Sequence, residues 1–293
     1  MRKAFTNSVS KVITNNKNSA LLLGDIGVFS FKNLIERYPE RAMNLGILEQ
    51  SMIGVAAGLS SKGIIPIVHT IAPFIAERAL EQIKIDFGYQ KLPGNLVSVG
   101  ASYDYAALGC THHCPADVSV LSTSPGIKIY VPGTPEEFSK QFEDNWDNGS
   151  LNYWRLSETS NSASNFSEDM NPKIIKIGSL ATILVVGPIL DIVNEAIKDL
   201  DVGLVYLNQV NRIEPTFLRA ICGSEKIIII EPFYSGPTIQ LLNELLMEKS
   251  LRILQIGVPQ KFLTNYGSSA EHSNSIGFNT NSIQKKIESF ISG

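Results

Sequence analysis

Cysteine is scarce in this sequence, long apolar runs are missing, and neither sign of charge dominates. Cys110, Cys114 and Cys222 are the only three cysteines in 293 residues. They make no disulfide framework, so a reducing, cytoplasmic setting is expected. The most apolar stretches, "SLATILVVGPILDIV" and "KIIIIEPF", are too short or too broken to cross a bilayer. The opening "MRKAFTNSVSKV" has no apolar core of signal-peptide length. A net charge of −3 gives no reason to expect nucleic acid or a membrane as partner. The chain shows neither solenoid repeats nor low-complexity tracts. What is left, 44% hydrophobic and 18% charged, is an ordinary globular composition with length for about two domains.

Short apolar runs alternate with helical patterns. Strands are expected at "ALLLGD" from Ala20, "IIPIV" from Ile64, "NLVSVG" from Asn95 and "IKIYVP" from Ile127. Between them, "PFIAERALEQIKIDFGY" repeats apolar positions at Ile75, Ala79, Ile83 and Phe87, as one helix face would. From Ser157 to Pro172 the chain turns polar and small, which reads as an exposed linker. A second series follows: "ATILVVG", "VGLVYL", "KIIIIEP" and "LRILQIG", with "DIVNEAIKDL" as a helix between. Strands buried on both faces and alternating with helices predict α/β architecture: two three-layer domains with mainly parallel sheets. The expected bounds are 1–158 for the first domain, 159–172 for the linker and 173–293 for the second.

Three segments offer chemistry. "NLGILEQSMIGVAAGLS" carries one acid, Glu49, at the start of a helix apolar on nearly every face, with Gly54 and Gly58 expected to let neighbours approach closely. Glu49 has two readings, a helix N-terminal cap favoured by the dipole or a buried functional acid. "LGCTHHCPAD" follows a strand, where open α/β sheets place ligand sites. Its Cys110-Thr-His-His-Cys114 run invites a zinc reading. Zinc usually draws its ligands from two separated pairs, and no second pair lies nearby in sequence, so no metal site is expected here. "GDIG" at Gly24–Gly27 reads as a simple turn or as the holder of a functional acid, Asp25.

Taken in order, these segments resemble the pyrimidine-binding half of the transketolase family of thiamine diphosphate enzymes. The matching residues are Asp25 in "GDIG", "GILEQSMIGVAAGLS" around Glu49, Phe74 in "HTIAPFIAERALEQI", and "LGCTHHCPADVSVLSTSPGIKIYVPGTPEEF". "IIIIEPFYSGP" and "IGVPQKFLTNYG" resemble the family's C-terminal domain. The family's "GDG" with a downstream Asn pair, which binds the diphosphate and its divalent cation, is not matched. The resemblance therefore implies one half of a split enzyme. Mg2+ or Ca2+ would be held mainly by a separate N-terminal transketolase-like subunit carrying GDG…NN. A dimer of this chain alone, or a heterotetramer with two copies of each chain, is expected.

The family's cofactor supplies a nucleophilic carbon once its own aminopyrimidine has removed the proton, a step driven by a carboxylic acid hydrogen-bonded to that ring. The acid must be buried, because desolvation favours the proton-sharing form, whereas a helix start favours the anion. The resemblance gives Glu49 this role, makes Phe74 the platform for the pyrimidine, and places Asp25 among the cofactor contacts. His112 matches the family's loop histidine near the reacting carbons, and His113 replaces a Gln as a second polar contact. Arg2 and Arg155 match a phosphate-binding pair, against the plainer readings of a frayed terminal residue and a surface ion pair. His69 stands where the family has a small residue and could line the site. The pattern also departs from ketose-phosphate transketolases: Leu108 replaces an Asp, Gly100 a phosphate-contacting His, and Phe29 or Ser30 a Ser.

The leading reading is a subunit for two-carbon ketol transfer between small sugar-type substrates. A pyruvate-using relative, either a 2-oxo acid dehydrogenase β-subunit or a deoxyxylulose-phosphate synthase type, is the second. A noncatalytic stabilising subunit is the third, and retention of Glu49 and Phe74 argues against it.

Overall fold

The computed structural model describes residues 1–165, 172–210, 217, 224–243, 247 and 250–293, so Cys222 and linker positions 166–171 lie outside the described residues. The first sheet is wholly parallel. Its strands are β1 (Ser19–Leu23), β2 (Ala42–Asn44), β3 (Ile65–Ile71), β4 (Gly94–Val99), β5 (Lys128–Tyr130) and β6 (Leu151–Arg155), in the order β2-β1-β3-β4-β6-β5. Helices α1 (Arg2–Asn15), α2 (Lys32–Arg37), α3 (Glu49–Ser60), α4 (Ala72–Ala76), α5 (Leu80–Gln82), α6 (Asp117–Leu121) and α7 (Pro135–Asn145) cover both faces.

Strand periodicity sorts the core. Leu21, Leu23, Ile67 and Val97 point to one face and pack with Phe5, Val9 and Ile13 of α1 and with Phe138 and Phe142 of α7. Leu22, Val68 and Leu96 point to the other and meet Met52, Ile53 and Ala56 of α3 and Ile75 of α4. Each such side chain, fully buried, contributes about 1.5–3 kcal/mol. Helix α7 starts where the sequence asks: Thr134 caps it by accepting from the Glu137 backbone N–H at 3.2 Å, with Pro135 next.

The second sheet comprises β7 (Lys173–Lys176), β8 (Thr182–Val186), β9 (Gly203–Leu207), β10 (Lys226–Tyr234) and β11 (Arg252–Val258), ordered β11-β10-β8-β9-β7. All pairs are parallel except β7 with β9. Helices α8 (Leu190–Ala196), α9 (Ser269–Ser275) and α10 (Thr280–Ser292) follow. Val193 of α8 and Ile283 and Ile287 of α10 pack one face of the sheet, while Leu184, Val205 and Ile229 join the same core as α3 and α4. A backbone strap ties the sheets: Val131 N–H donates to Asn208 O at 2.8 Å and Val210 N–H to Ile129 O at 3.0 Å, around a Tyr130–Gln209 antiparallel bridge. Two α/β units with largely parallel sheets are thus observed.

Three expectations need correction. The helix from Pro73 to Tyr89 is broken: α4 ends at Ala76, and α5 runs into a π-helical turn over Ile83–Tyr89. The break comes where Glu77 N–H and Arg78 N–H both donate to Pro73 O, each at 3.1 Å, which widens the turn. Its inward face is as expected, with Ile75, Ala79, Ile83 and Phe87 all buried. Second, Gly54 and Gly58 receive no close neighbour: both lie on the exposed side of α3, and a Cβ at Gly58 would meet nothing within 4 Å. Third, strands β2, β6 and β7 come from segments without a continuous apolar run.

Candidate active site

Spatial order reverses between β1 and β3, and the loops beyond their C-terminal ends form the crevice where open α/β sheets bind ligands. Asp25 leaves β1 with φ 63°, in the left-handed region that Asp tolerates. Asn44 fixes it there: the Asn44 side chain accepts from Asp25 N–H at 2.9 Å and donates to Asp25 Oδ1 at 3.1 Å. Two residues on, Gly27 has φ +79°, and a Cβ there would meet the His69 ring at 3.1 Å. His69 donates from Nδ1 to Val97 O at 2.9 Å and lies 4.5 Å from the Phe5 ring. Burial pushes its pKa down to about 4, so it is a neutral imidazole at neutral pH. Arg2, Phe5, Asp25, Phe29, Ser30 and His69 line one cavity of about 470 Å³.

The next residue on β3, Thr70, points to the opposite face and meets Glu49. Glu49 opens α3 but does not cap it; no side-chain cap bond is present. Its carboxylate is 1% exposed and accepts from Thr70 Oγ1 at 3.1 Å and from Arg78 Nη1 at 2.6 Å. The Arg78 side chain is 38% exposed, and its guanidinium carbon lies over the Phe74 ring, 4.1 Å from the centroid. Phe74 meets His112 edge-on at 5.5 Å, and His112 lies 6.4 Å from Tyr105. Tyr105 Oη in turn accepts from Arg2 Nη2 at 2.5 Å. A continuous row therefore runs Glu49, Arg78, Phe74, His112, Tyr105, Arg2, ending at the cavity that holds Asp25 and His69.

Two expected site residues are not brought to this row. Arg155 is 1% exposed, its Nε donating to Asp117 Oδ2 at 2.8 Å and its Nη2 to Ser102 Oγ at 2.6 Å. It is neither a surface ion pair nor an open phosphate contact. His113 is buried and faces His272 of α9, ring centroids 5.1 Å apart, at the junction between the two sheets. Burial, then His272, lowers its pKa. Position 100 has a physical reason to lack the family's histidine: Gly100 has φ +78°, and a Cβ there would lie 2.6 Å from the Tyr105 ring. Tyr105 occupies that space and takes Arg2 as its partner.

Sequence reasoning passes over Thr70, Arg78, Asn44 and Tyr105. Arg78 sits four residues after Phe74, a spacing that would put both side chains on one face of an unbroken helix, and that is the signal that could have found it.

Comparison with known proteins gives the chain a family. Residues 1–149 match the family described as transketolase, pyrimidine binding domain, and the chain belongs to that family. It is 32% identical over 295 residues to an uncharacterized 33.6 kDa protein in the fasciation locus of Rhodococcoides fascians, covering 99% of this chain and 95% of the relative. It is 37% identical over 103 residues to one subunit of the apulose-4-phosphate transketolase of Actinobacillus succinogenes, a match spanning 35% of this chain and only 33% of that relative. Among solved structures, a split-gene transketolase described as an inactive β4 tetramer shares the fold with TM-score 0.83 at 22% identity, covering 99% of this chain and 97% of that one.

Proposed function

We propose that this chain is the pyrimidine-binding subunit of a split, thiamine diphosphate-dependent transketolase-type enzyme, inactive until a second subunit supplies the diphosphate and metal site. The observation that carries this reading is Glu49: a carboxylate 1% exposed that accepts from a planar N–H donor stacked over Phe74. The planar guanidinium of Arg78 marks where a flat ring would lie, with its ring nitrogen sharing a proton with Glu49 in place of the Arg78 N–H. Phe74 provides an apolar, quadrupolar platform, and Thr70 orients Glu49 for proton sharing. Asp25, held by Asn44, contributes from the β1 side.

When bound, thiamine diphosphate supplies a nucleophilic carbon and an electron sink for C–C cleavage. His112, flanked by Phe74 and Tyr105, moves protons on the substrate's oxygens. Arg2 and neutral His69 bind polar substrate groups in the cavity. His113 and Arg155 serve the junction between the sheets instead.

Residues 1–158 form the pyrimidine-binding domain in this reading and 173–293 the C-terminal one. Among the described residues no group of three or more His, Cys, Asp or Glu side chains could hold a metal ion. In this reading Mg2+ or Ca2+ belongs mainly to the partner with its GDG…NN motif. Exposed Phe29, Ile47, Leu48 and Leu108, beside the site residues in sequence, suit burial by that partner, in a heterotetramer with two copies of each chain. No described helix is long and apolar enough to cross a membrane, and a cytoplasmic sugar-processing enzyme is the matching setting.

The test is reconstitution with a GDG…NN subunit and product analysis on a ketose phosphate and on pyruvate. Ketol transfer from the ketose, lost with Glu49→Gln, is the expected result. Carbon dioxide release from pyruvate would overturn the ketol-transfer assignment, and full turnover with Glu49→Gln would overturn a catalytic role for this chain.

A further inference from the structure

We infer that Arg78 is an internal occupant of the pyrimidine site, holding Glu49 and Phe74 in this chain until the cofactor displaces it. This rests on the reading of Glu49 and Phe74 given above. Three observations carry it. Arg78 fills both positions that an aminopyrimidine would fill here: its N–H bonds Glu49 Oε2 at 2.6 Å, where the ring nitrogen would share a proton with the acid, and its guanidinium carbon lies over Phe74, 4.1 Å from the ring centroid. The pair is asymmetric, since Glu49 is 1% exposed while the Arg78 side chain is 38% exposed, so the arginine alone has solvent to withdraw into. Arg78 also sits in the turn between α4 and α5 rather than inside a helix, its N–H sharing Pro73 O with Glu77 N–H.

The chemistry explains why an occupant is needed. A buried carboxylate with no ligand and no partner carries a large desolvation cost, and a guanidinium offsets it with a planar donor fork. That protection opposes ligand entry, because the ring must break the Arg78–Glu49 bond before it can form its own. Arg78 thereby makes this chain a poor pyrimidine binder by itself and delays cofactor capture until other contacts contribute. Its neighbour Glu77, whose pKa burial raises, faces Cys114 rather than Glu49, the thiol lying 3.6 Å from Glu77 Oε1. It does not compete for the guanidinium.

The experiment titrates the isolated chain with the bare ring, 4-amino-2,5-dimethylpyrimidine, and follows the Phe74 and His112 ring signals by NMR. Arg78→Gln and Arg78→Leu are compared with wild type, each checked for folding by circular dichroism. Both variants should bind the ring at least about tenfold more tightly than wild type, a change worth roughly 1.4 kcal/mol. Binding to both variants no tighter than to wild type, undetectable binding to all three included, overturns the inference. Phe74→Ala separates this outcome from failure of the underlying site. Ring binding that weakens with Phe74→Ala but ignores Arg78 leaves the pyrimidine site standing and removes only its occupant. Ring binding indifferent to both removes the site itself.

Discussion

Two carboxylate–guanidinium pairs in this molecule look alike in sequence and differ in what surrounds them. Glu49 with Arg78 and Asp117 with Arg155 are bonded at 2.6 and 2.8 Å, and the acids are 1% and 0% exposed. Asp117 also accepts from Tyr153 Oη and from Val118 N–H, while Arg155 reaches Ser102 and lies over Phe233, 5.3 Å from the ring centroid. Both oxygens of that acid are taken by protein donors, and the arginine is as deeply buried as the acid. Around Glu49 only Thr70 is fixed, and the arginine is partly in solvent. The contrast teaches that a buried acid whose partner reaches water can exchange that partner, which the proposed role of Glu49 requires, whereas an enclosed partner makes the same chemistry a structural joint.

The sharpest break in the comparison is at Arg155. Arg155→Met leaves Asp117 charged and buried, and should cost about 3–5 kcal/mol, whereas Arg78→Gln, which keeps an N–H donor beside Glu49 at an edge that water reaches, should cost about 1–2 kcal/mol. Urea midpoints of the two variants measure the difference; equal shifts would erase the distinction. Next, Glu49→Gln should lower turnover of the reconstituted enzyme by about 10²–10⁴ with little change in the midpoint. The reverse pattern would make Glu49 a second joint. His112→Ala should reduce kcat by about 10² while the Glu49–Arg78 pair stays intact, read by steady-state kinetics.

The smallest net effect is in pH. Burial lowers His69 to about 4 and raises Asp104 to about 6. Between pH 4 and 6.5 the unfolded chain binds more protons at position 69, so that contribution to stability falls on acidification. At Asp104 the folded chain binds more protons between pH 3.8 and 6, so its contribution rises on acidification. The slopes oppose in wild type. Asp104→Asn should expose a loss of up to about 3 kcal/mol as the pH falls from 6.5 to 4, measured by urea denaturation across that range. A flat profile in that variant would mean that His69 protonates without cost and is not enclosed as the cavity geometry requires.

Strands β1, β3, β4 and β8 to β11 are legible because continuous apolar runs leave a parallel sheet no alternative. Strand β6, "LNYWR", is not, since Asn152 and Arg155 look like loop residues until their partners are known. Asn152 donates to Asn95 Oδ1 at 3.2 Å, and Trp154 Nε1 donates to the same atom at 2.9 Å. Glu49, Phe74 and His112 are legible only as an ordered set matched to a family; burial and helix position alone leave Glu49 undecided between a cap and a catalyst. Its carboxylate bonds Thr70 and Arg78 and makes no cap hydrogen bond, though it stands in the first turn of α3, where the dipole favours an anion. Arg155 misleads for the reason that hides Arg78: a sequence states which side chains are charged but not which of them water reaches.

The strap at Tyr130–Gln209 has a mechanical meaning. It crosses between the halves by main-chain bonds and lies over a shared core, so covalent continuity through the Ser-rich stretch from 157 to 165 is not what holds them together. A protease that nicks that stretch should yield two fragments on a denaturing gel and a single particle on a sizing column.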